Sequence, residues 1–205
     1  MSALRIEPMT DLTDEQLAAR AQTGAAGCFE ELVRRFQGPL LNFVQRRTTA
    51  TGDADAEDLV QDTFVRAYQN LSRYRPPKRF NTWLYTIAYR LAVSRHRKQR
   101  IRPAATSASL DHVQAGNLDP HRDLAERESG RQLWTTAAAV LSQPQLTALW
   151  LHYVEEMSMS EIAEVMQRTA VAVRVMLHRA RHKLMPHVAD TSRRDATGVP
   201  LSTVI

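Results

Sequence analysis

The sequence predicts an all-α protein: two small helical domains joined by a flexible linker. Apolar residues recur at helical spacing through most of the chain, and β-branched alternation nowhere persists. Between the periodic segments lies one long stretch of Pro, Ala, Ser, Thr, Asn and Gly. At 205 residues the chain can bury one ordinary core or two small ones.

Thr13, with Gln16 three residues on, makes a capping box that opens a short helix stopping near Gly24. Phe29, Leu32, Val33, Phe36, Leu40 and Phe43 follow at helical spacing, with a bend expected at Gly38-Pro39. Asp55 can cap a third helix whose apolar stripe is Leu59, Phe64, Ala67, Tyr68 and Leu71. Pro76-Pro77 forces a loop, because neither residue has an N–H to give a helix and each restrains its predecessor. Asn81 or Thr82 then restarts a helix with Leu84, Ile87, Ala88, Leu91 and Ala92 on one face, ending near Arg100.

Periodicity vanishes from Arg102 to about Leu118. Asp119-Pro120 is a good N-cap and first-turn pair for a helix towards Leu141, and Ser142-Gln143-Pro144 starts the next, with Leu146, Leu149 and Tyr153 apolar. Met157 to Ser160 leads into a short helix over Glu161–Met166, and a longer one follows over Ala170–Leu184. Thr191 to Ile205 reads as a frayed tail.

Several chemistries are argued against. The single Cys28 excludes an intrachain disulfide framework and a four-cysteine zinc site, and its apolar neighbours suggest a small core residue. No signal peptide or membrane-length apolar run is visible, so a cytoplasmic protein without membrane insertion is expected. A calcium loop at Asp53-Ala-Asp55-Ala-Glu57 fails because its sixth position is Asp58 and its twelfth is Phe64. His178 and His182 lack a third ligand, so no metal and no cofactor are expected. An enzyme is the least favoured class, since no Gly-rich phosphate loop or nucleophile–base pair is evident.

Charge is segregated rather than sprinkled, although the net formal charge is only +5. Ser72 to Pro103 carries ten Lys/Arg and no acid, interleaved with Tyr74, Phe80, Trp83, Tyr85 and Tyr89. Basic side chains track phosphates and aromatic faces stack on unpaired bases, so the mixture suits a melted strand. Upstream, Asp53 to Asp62 holds five acids and no base. Part of that charge suits a helix N-terminus, while Asp58, Gln61 and Asp62 form a polar ridge turned away from Leu59 and Phe64. Ala104 to Glu128 is acidic again, and Val165 to Arg194 returns to seven bases against Asp190. There Ser160–Met166, the turn Gln167-Arg168-Thr169 and Ala170–Leu184 fit a helix-turn-helix: the first helix braces, and the second offers Arg174, His178, Arg179, Arg181 and Lys183 to a major groove.

Three stretches together resemble the extracytoplasmic-function (ECF) group of sigma-70-type sigma factors. Asp55–Tyr68 resembles the polymerase-binding helix of region two, Tyr74–Ala88 the minus-ten segment, and Ser160–Leu184 the region-four helix-turn-helix. The resemblance implies a region-two-like domain over 12–100, a linker over 101–118, a four-helix-type region-four domain over 119–186 and a disordered tail over 187–205. It implies that Asp58, Gln61 and Asp62 dock on core RNA polymerase. Arg73, Arg75, Lys78, Arg79, Phe80, Trp83, Tyr85 and Arg90 would hold the minus-ten single strand, and Arg168, Thr169, Arg174, His178, Arg179 and Arg181 the minus-thirty-five duplex. Promoter DNA and core polymerase are the implied partners, with an anti-sigma factor a further candidate. The chain departs from the family pattern at Gln167, where Gly is usual, at Ala172, Val175 and Met176 in the recognition helix, and at Arg90, where Asn is common. The weakened recognition helix leaves a rival reading open, a sigma-mimicking regulator that binds an anti-sigma factor without touching DNA. A free-standing helix-turn-helix repressor is a second rival, for which no dimerisation surface is obvious.

Overall fold

A computed structural model describes residues 9–47, 53–101 and 133–196. After a 3-10 turn at Met9–Asp11, the first domain comprises α1 (Asp14–Gln22), α2 (Ala26–Arg47), α3 (Asp53–Gln69), a second 3-10 turn (Leu71–Arg73) and α4 (Phe80–Ile101). The second domain comprises α5 (described over 133–140), α6 (Gln143–Tyr153), α7 (Met159–Met166) and α8 (Ala170–Ala196). No strand occurs among the described residues. The predicted linker and the Asp119-Pro120 helix start lie outside them.

The expected capping box closes α1: the Thr13 N–H donates to the Gln16 carboxamide at 2.8 Å, and the Gln16 N–H to the Thr13 hydroxyl at 3.2 Å. Gly24, at φ 99°, turns the chain into α2. Pro39 sits inside α2 without ending it. Two starts differ from expectation by a residue or two. α3 begins at Asp53, which leaves Asp55 in the first turn, where its charge suits the helix dipole. α4 begins at Phe80, whose N–H donates to the Glu15 carboxylate of α1 at 3.1 Å. A distant side chain thus satisfies a helix-end donor.

The first core gathers Leu17, Leu32, Leu40, Phe43, Leu59, Leu84 and Ala88. Tyr74, Phe80, Phe36 and Trp83 form an aromatic group with ring centroids 5.5–5.6 Å apart. The Tyr74 hydroxyl donates to the Lys78 carbonyl at 2.6 Å, and Gln22 Nε2 donates to the carbonyls of Leu71 and Tyr74 at 2.7 and 2.9 Å. These three bonds hold the loop that leads into α4. Tyr68, expected on the apolar stripe of α3, is instead 58 % exposed, with its ring edge against Phe29. Ten positions past Asp58, it has rotated onto the ridge side of the helix.

Arg35 ties the N-terminal segment to α2. Its guanidinium donates to the carbonyls of Met9, Thr10 and Leu12, to Asp14 at 2.9 Å and to Glu31 at 2.8 Å. Hydrogen bonds from Arg34 and Arg35 hold the Glu31 carboxyl down to about 2, well below the usual carboxylate range. A depressed folded-state value means a contribution present at neutral pH and lost as pH falls through the ordinary carboxylate range towards 2. Carboxyl NMR titration should therefore find Glu31 ionised at pH 3, and Glu31→Gln should flatten that part of the acid-unfolding profile.

In the second domain Leu146, Trp150, Leu151, Met157, Ile162, Val165, Val173, Leu177, Ala180 and Leu184 form the core. Pro144 stands in the first turn of α6, where its missing N–H is harmless. Tyr153 falls outside the expected apolar face: it is 53 % exposed beneath the Arg181 guanidinium. α8 passes Pro186 and continues to Ala196, so residues 187–196 are helical rather than part of the expected tail. Proline removes one hydrogen bond and crowds one carbonyl, which bends a helix without obliging it to stop.

The domains touch: α7 lies on α4, and α6 on α2. Arg46 of α2 anchors the second contact, its guanidinium 5.6 Å from the Trp134 ring and 5.0 Å from that of Trp150. Burial lowers the pKa of that guanidinium.

Candidate nucleic-acid interface

Asp58, Gln61 and Asp62 are all exposed along one side of α3. Asp58 is 65 % exposed and 3.9 Å from Arg95, whose Nη1 donates to the Asp55 carbonyl at 2.7 Å. Val65, 54 % exposed, extends the same ridge one turn further, and Tyr68 continues it. An acidic strip ending in two exposed apolar side chains suits a helical partner that offers bases and an apolar seam. Periodicity marked Asp58, Gln61 and Asp62, but it took Tyr68 for core and passed over Val65.

The basic-aromatic run divides sharply. Phe80 and Tyr85 are fully buried, so neither is available to stack on a base, which corrects two of the predicted contacts. The reason is the register of α4, where Phe80, Leu84, Tyr85 and Ala88 share the stripe that packs into the core. Trp83 is only partly buried. It lines an open cavity of roughly 460 Å³ between α3 and α4, with Arg66, Asn70, Arg73, Ile87, Arg90, Leu91 and Ser94. The cavity presents guanidinium donors beside an indole, a combination that can take a planar base and its phosphate. Arg66 and Asn70 were missed because they precede the base-rich stretch from Ser72 to Pro103. Their spacing of four, with Arg66 in the last turn of α3 and Asn70 just past its end, was the available signal. Arg75 is exposed and folds back to donate to the carbonyls of Ser72 and Tyr74.

In the helix-turn-helix, Ser158 and Glu161 cap α7 reciprocally, at 2.9 Å and 3.3 Å. Gln167 occupies the left-handed region at φ 54°. That conformation disfavours a residue with a side chain by about 1–2 kcal/mol. The Thr169 hydroxyl accepts from the Ala172 N–H at 3.1 Å and starts α8. Arg168, Thr169, Arg174, His178, Arg179 and Arg181 are all exposed, while Val173, Leu177, Ala180 and Leu184 face the core. Exposed Val171 and Val175 add an apolar strip to the outer face of α8.

Where α7 meets α4, several predicted strand-binding residues have partners in the other domain. Lys78 pairs with Glu164, and Arg79 approaches Glu161 at 3.8 Å. The Thr82 hydroxyl donates to Glu161 at 3.1 Å. With its oxygen facing the guanidinium, the Gln167 carboxamide accepts from Arg90 Nη2 at 2.9 Å and Nε at 3.0 Å. Arg90 and Gln167, singled out separately in the sequence, are therefore partners. Burial works against the Glu161 carboxylate, but bonds from the Ser158 hydroxyl and N–H outweigh it and keep its pKa low. Nearby, Glu155 accepts from the Trp150 indole at 3.0 Å, and burial pushes its carboxyl up. The buried Tyr85 hydroxyl lies beside it but falls short of hydrogen-bond geometry.

Comparison with known proteins defines the class first. The pattern of sigma-70 region 2 matches residues 32–101, and that of sigma-70 region 4 matches residues 131–184. ECF RNA polymerase sigma-E factors of Salmonella typhimurium and Escherichia coli are each 31% identical over 192 residues, spanning 89% of this chain and 98% of theirs. The chain belongs to the ECF group of sigma-70-type sigma factors. Among solved structures, CnrH in complex with the cytosolic domain of CnrY is 26% identical, covers 90% of this chain and 99% of its own, and superposes with a TM-score of 0.59. The sigma factor RpoE bound to the anti-sigma factor NepR, from Bartonella quintana, shares the fold at 21% identity, a TM-score of 0.60 and coverage of 77% and 94%. Among the described residues no helix is long and apolar enough to cross a membrane.

Proposed function

We propose that this chain binds core RNA polymerase, directs it to promoters and holds the melted minus-ten strand, acting in the cytoplasm without catalysing a reaction. The cavity around Trp83 carries the reading. Arg66, Arg73 and Arg90 surround an indole at the mouth of an open pocket of roughly 460 Å³, the chemistry of an unstacked base beside its phosphate. Lys78 and Arg79 would track the backbone, and the α3 ridge of Asp58, Gln61 and Asp62 would dock on polymerase. The outer face of α8 would read the minus-thirty-five duplex. An anti-sigma factor is a further partner, as NepR is for the sigma factor RpoE of Bartonella quintana. Run-off transcription with core polymerase on a genomic promoter library tests the whole proposal. Specific transcripts that require the chain are expected, and their absence would reject it.

Two variants divide the roles. Asp58→Ala with Asp62→Ala should change stability by under about 0.5 kcal/mol, since exposed acids contribute little. It should nevertheless weaken core polymerase in a pull-down titration, and unchanged affinity would remove the docking assignment. Lys78→Ala with Arg79→Ala should slow open-complex formation on duplex promoters more than on pre-melted ones. Permanganate footprints with normal melting kinetics would count against that role.

A further inference from the structure

Most bases of the first domain have an acid beside them. Arg34, Arg35, Lys78, Arg79 and Arg95 each meet a carboxylate. Arg66, Arg73 and Arg90 pair with none among the described residues, and these are the three that converge on the cavity beside Trp83. They come from three elements, α3, the second 3-10 turn and α4, so the fold rather than one helix face gathers them. Arg90 meets a neutral acceptor, the Gln167 carboxamide oxygen. Like charges held together without a counter-charge repel one another, and a bound anion relieves that repulsion. On the same wall Asn70 Nδ2 donates to the Arg66 carbonyl at 2.9 Å, which fixes the carboxamide and leaves its Oδ1 as an acceptor. Indole, fixed acceptor and three guanidiniums thus line one open space of roughly 460 Å³, within the usual size of a small-ligand site.

We propose that this cavity is a site for a free purine nucleoside diphosphate or triphosphate, which occupies it in competition with the promoter strand. The proposal rests on the strand-holding role of the same cavity and adds a soluble ligand to it. Both ligands share one chemistry, a base on the indole with phosphate on guanidiniums. They differ in how charge is placed. A strand spreads one charge per phosphodiester along its backbone, and Lys78 and Arg79 lie outside the cavity lining, where they can track it. A nucleoside diphosphate gathers roughly three negative charges at one end, which matches three guanidiniums on one cavity. The planar fork of each guanidinium suits bidentate pairing with such oxygens. A purine is favoured over a pyrimidine because two fused rings cover more of the indole. Adenine and guanine each carry an N–H donor for Asn70 Oδ1 and an N7 acceptor for a guanidinium. Because nucleotide and strand need the same indole and the same guanidiniums, they exclude each other. Free nucleotide at about ten times its Kd therefore weakens strand binding about tenfold, so promoter melting would respond to the nucleotide pool.

The test uses the full chain with two readouts. Isothermal titration calorimetry measures GDP, ADP, UDP, guanosine and inorganic pyrophosphate as separate probes. A fluorescein-labelled single-stranded dodecamer of randomised sequence, followed by anisotropy, reports whether bound nucleotide displaces the strand. GDP or ADP should bind with a Kd below about 100 μM, and UDP about threefold or more weakly. Guanosine and pyrophosphate, each keeping half of the contacts, should be weaker by about tenfold or more. Arg66→Gln, at an exposed position that the fold tolerates, should weaken the purine nucleotide about tenfold. Arg97→Gln removes an equal charge at an exposed position outside the cavity and should leave that affinity unchanged. Pyrophosphate binding as tightly as GDP and ADP, or no effect of Arg66→Gln, would overturn the nucleotide site while the strand-holding role stands. Nucleotide binding in the expected order with an undisplaced dodecamer would overturn the competition. If the dodecamer fails to bind with no nucleotide present, the strand-holding role falls by itself, and the competition falls with it.

Discussion

Replacing Phe80 with alanine is expected to lower the unfolding free energy of the first domain by about 3–5 kcal/mol, the usual range for a buried phenylalanine. Phe80 is fully buried, its ring contacts Phe36, Tyr74 and Trp83, and it is the first residue of α4. Truncation would leave a cavity at the point where α1, α2 and the loop before α4 converge. Because ordinary domains are stable by only about 5–15 kcal/mol, the variant should be close to unfolding at physiological temperature. Urea denaturation followed by circular dichroism measures this directly, with a lower midpoint and an unchanged slope expected. A loss below about 1 kcal/mol, with a large loss of single-strand binding, would return Phe80 to the role that the charge pattern suggested.

Arg174→Ala and Arg179→Ala should each remove a contact worth about 1–3 kcal/mol of base discrimination, roughly a 5- to 150-fold change in preference at one minus-thirty-five position. Both guanidiniums are exposed on the outer face of α8, and that face bears no acid between Ala170 and Lys183. Val175, exposed on the same face, offers a methyl surface and would favour thymine over the other bases. Lysine replacements separate charge from shape: Arg179→Lys should keep most of the salt dependence while losing the bidentate preference. A selection on randomised minus-thirty-five sequences with wild type and variants decides the matter. Identical base preferences would show that this face holds phosphates and reads no sequence.

Much of the architecture was legible because helix signals are local. The Thr13–Gln16 box, the Pro76-Pro77 break, Pro144 in the first turn of α6 and the turn at Gln167–Thr169 each act within a few residues, and each stands where its chemistry required. Errors at helix starts arose where the cap was distant, as with Glu15 on the N–H of Phe80. The tail was misjudged for a different reason. Proline lowers helix propensity but does not forbid a helix already propagating through it, so α8 runs on past Pro186.

The site divides along the same line. Exposed charge was readable because solvated acids and bases on a helix have no competing place to go, and Asp58, Gln61, Asp62, Arg174 and Arg179 all remain at the surface. Aromatic residues were not, since one ring can fill a core or stack on a base. Only tertiary packing sent Phe80 and Tyr85 inward, Tyr85 between Phe43 and Glu155 of the second domain, and left Trp83 at the cavity wall. By itself the sequence determined two all-helical modules, their order and the sign of charge on each face. Tertiary structure alone decided that Lys78, Arg79 and Arg90 meet Glu164, Glu161 and Gln167. Those partners lie far apart in sequence, and no periodic pattern encodes a contact between side chains that only folding brings within hydrogen-bond reach.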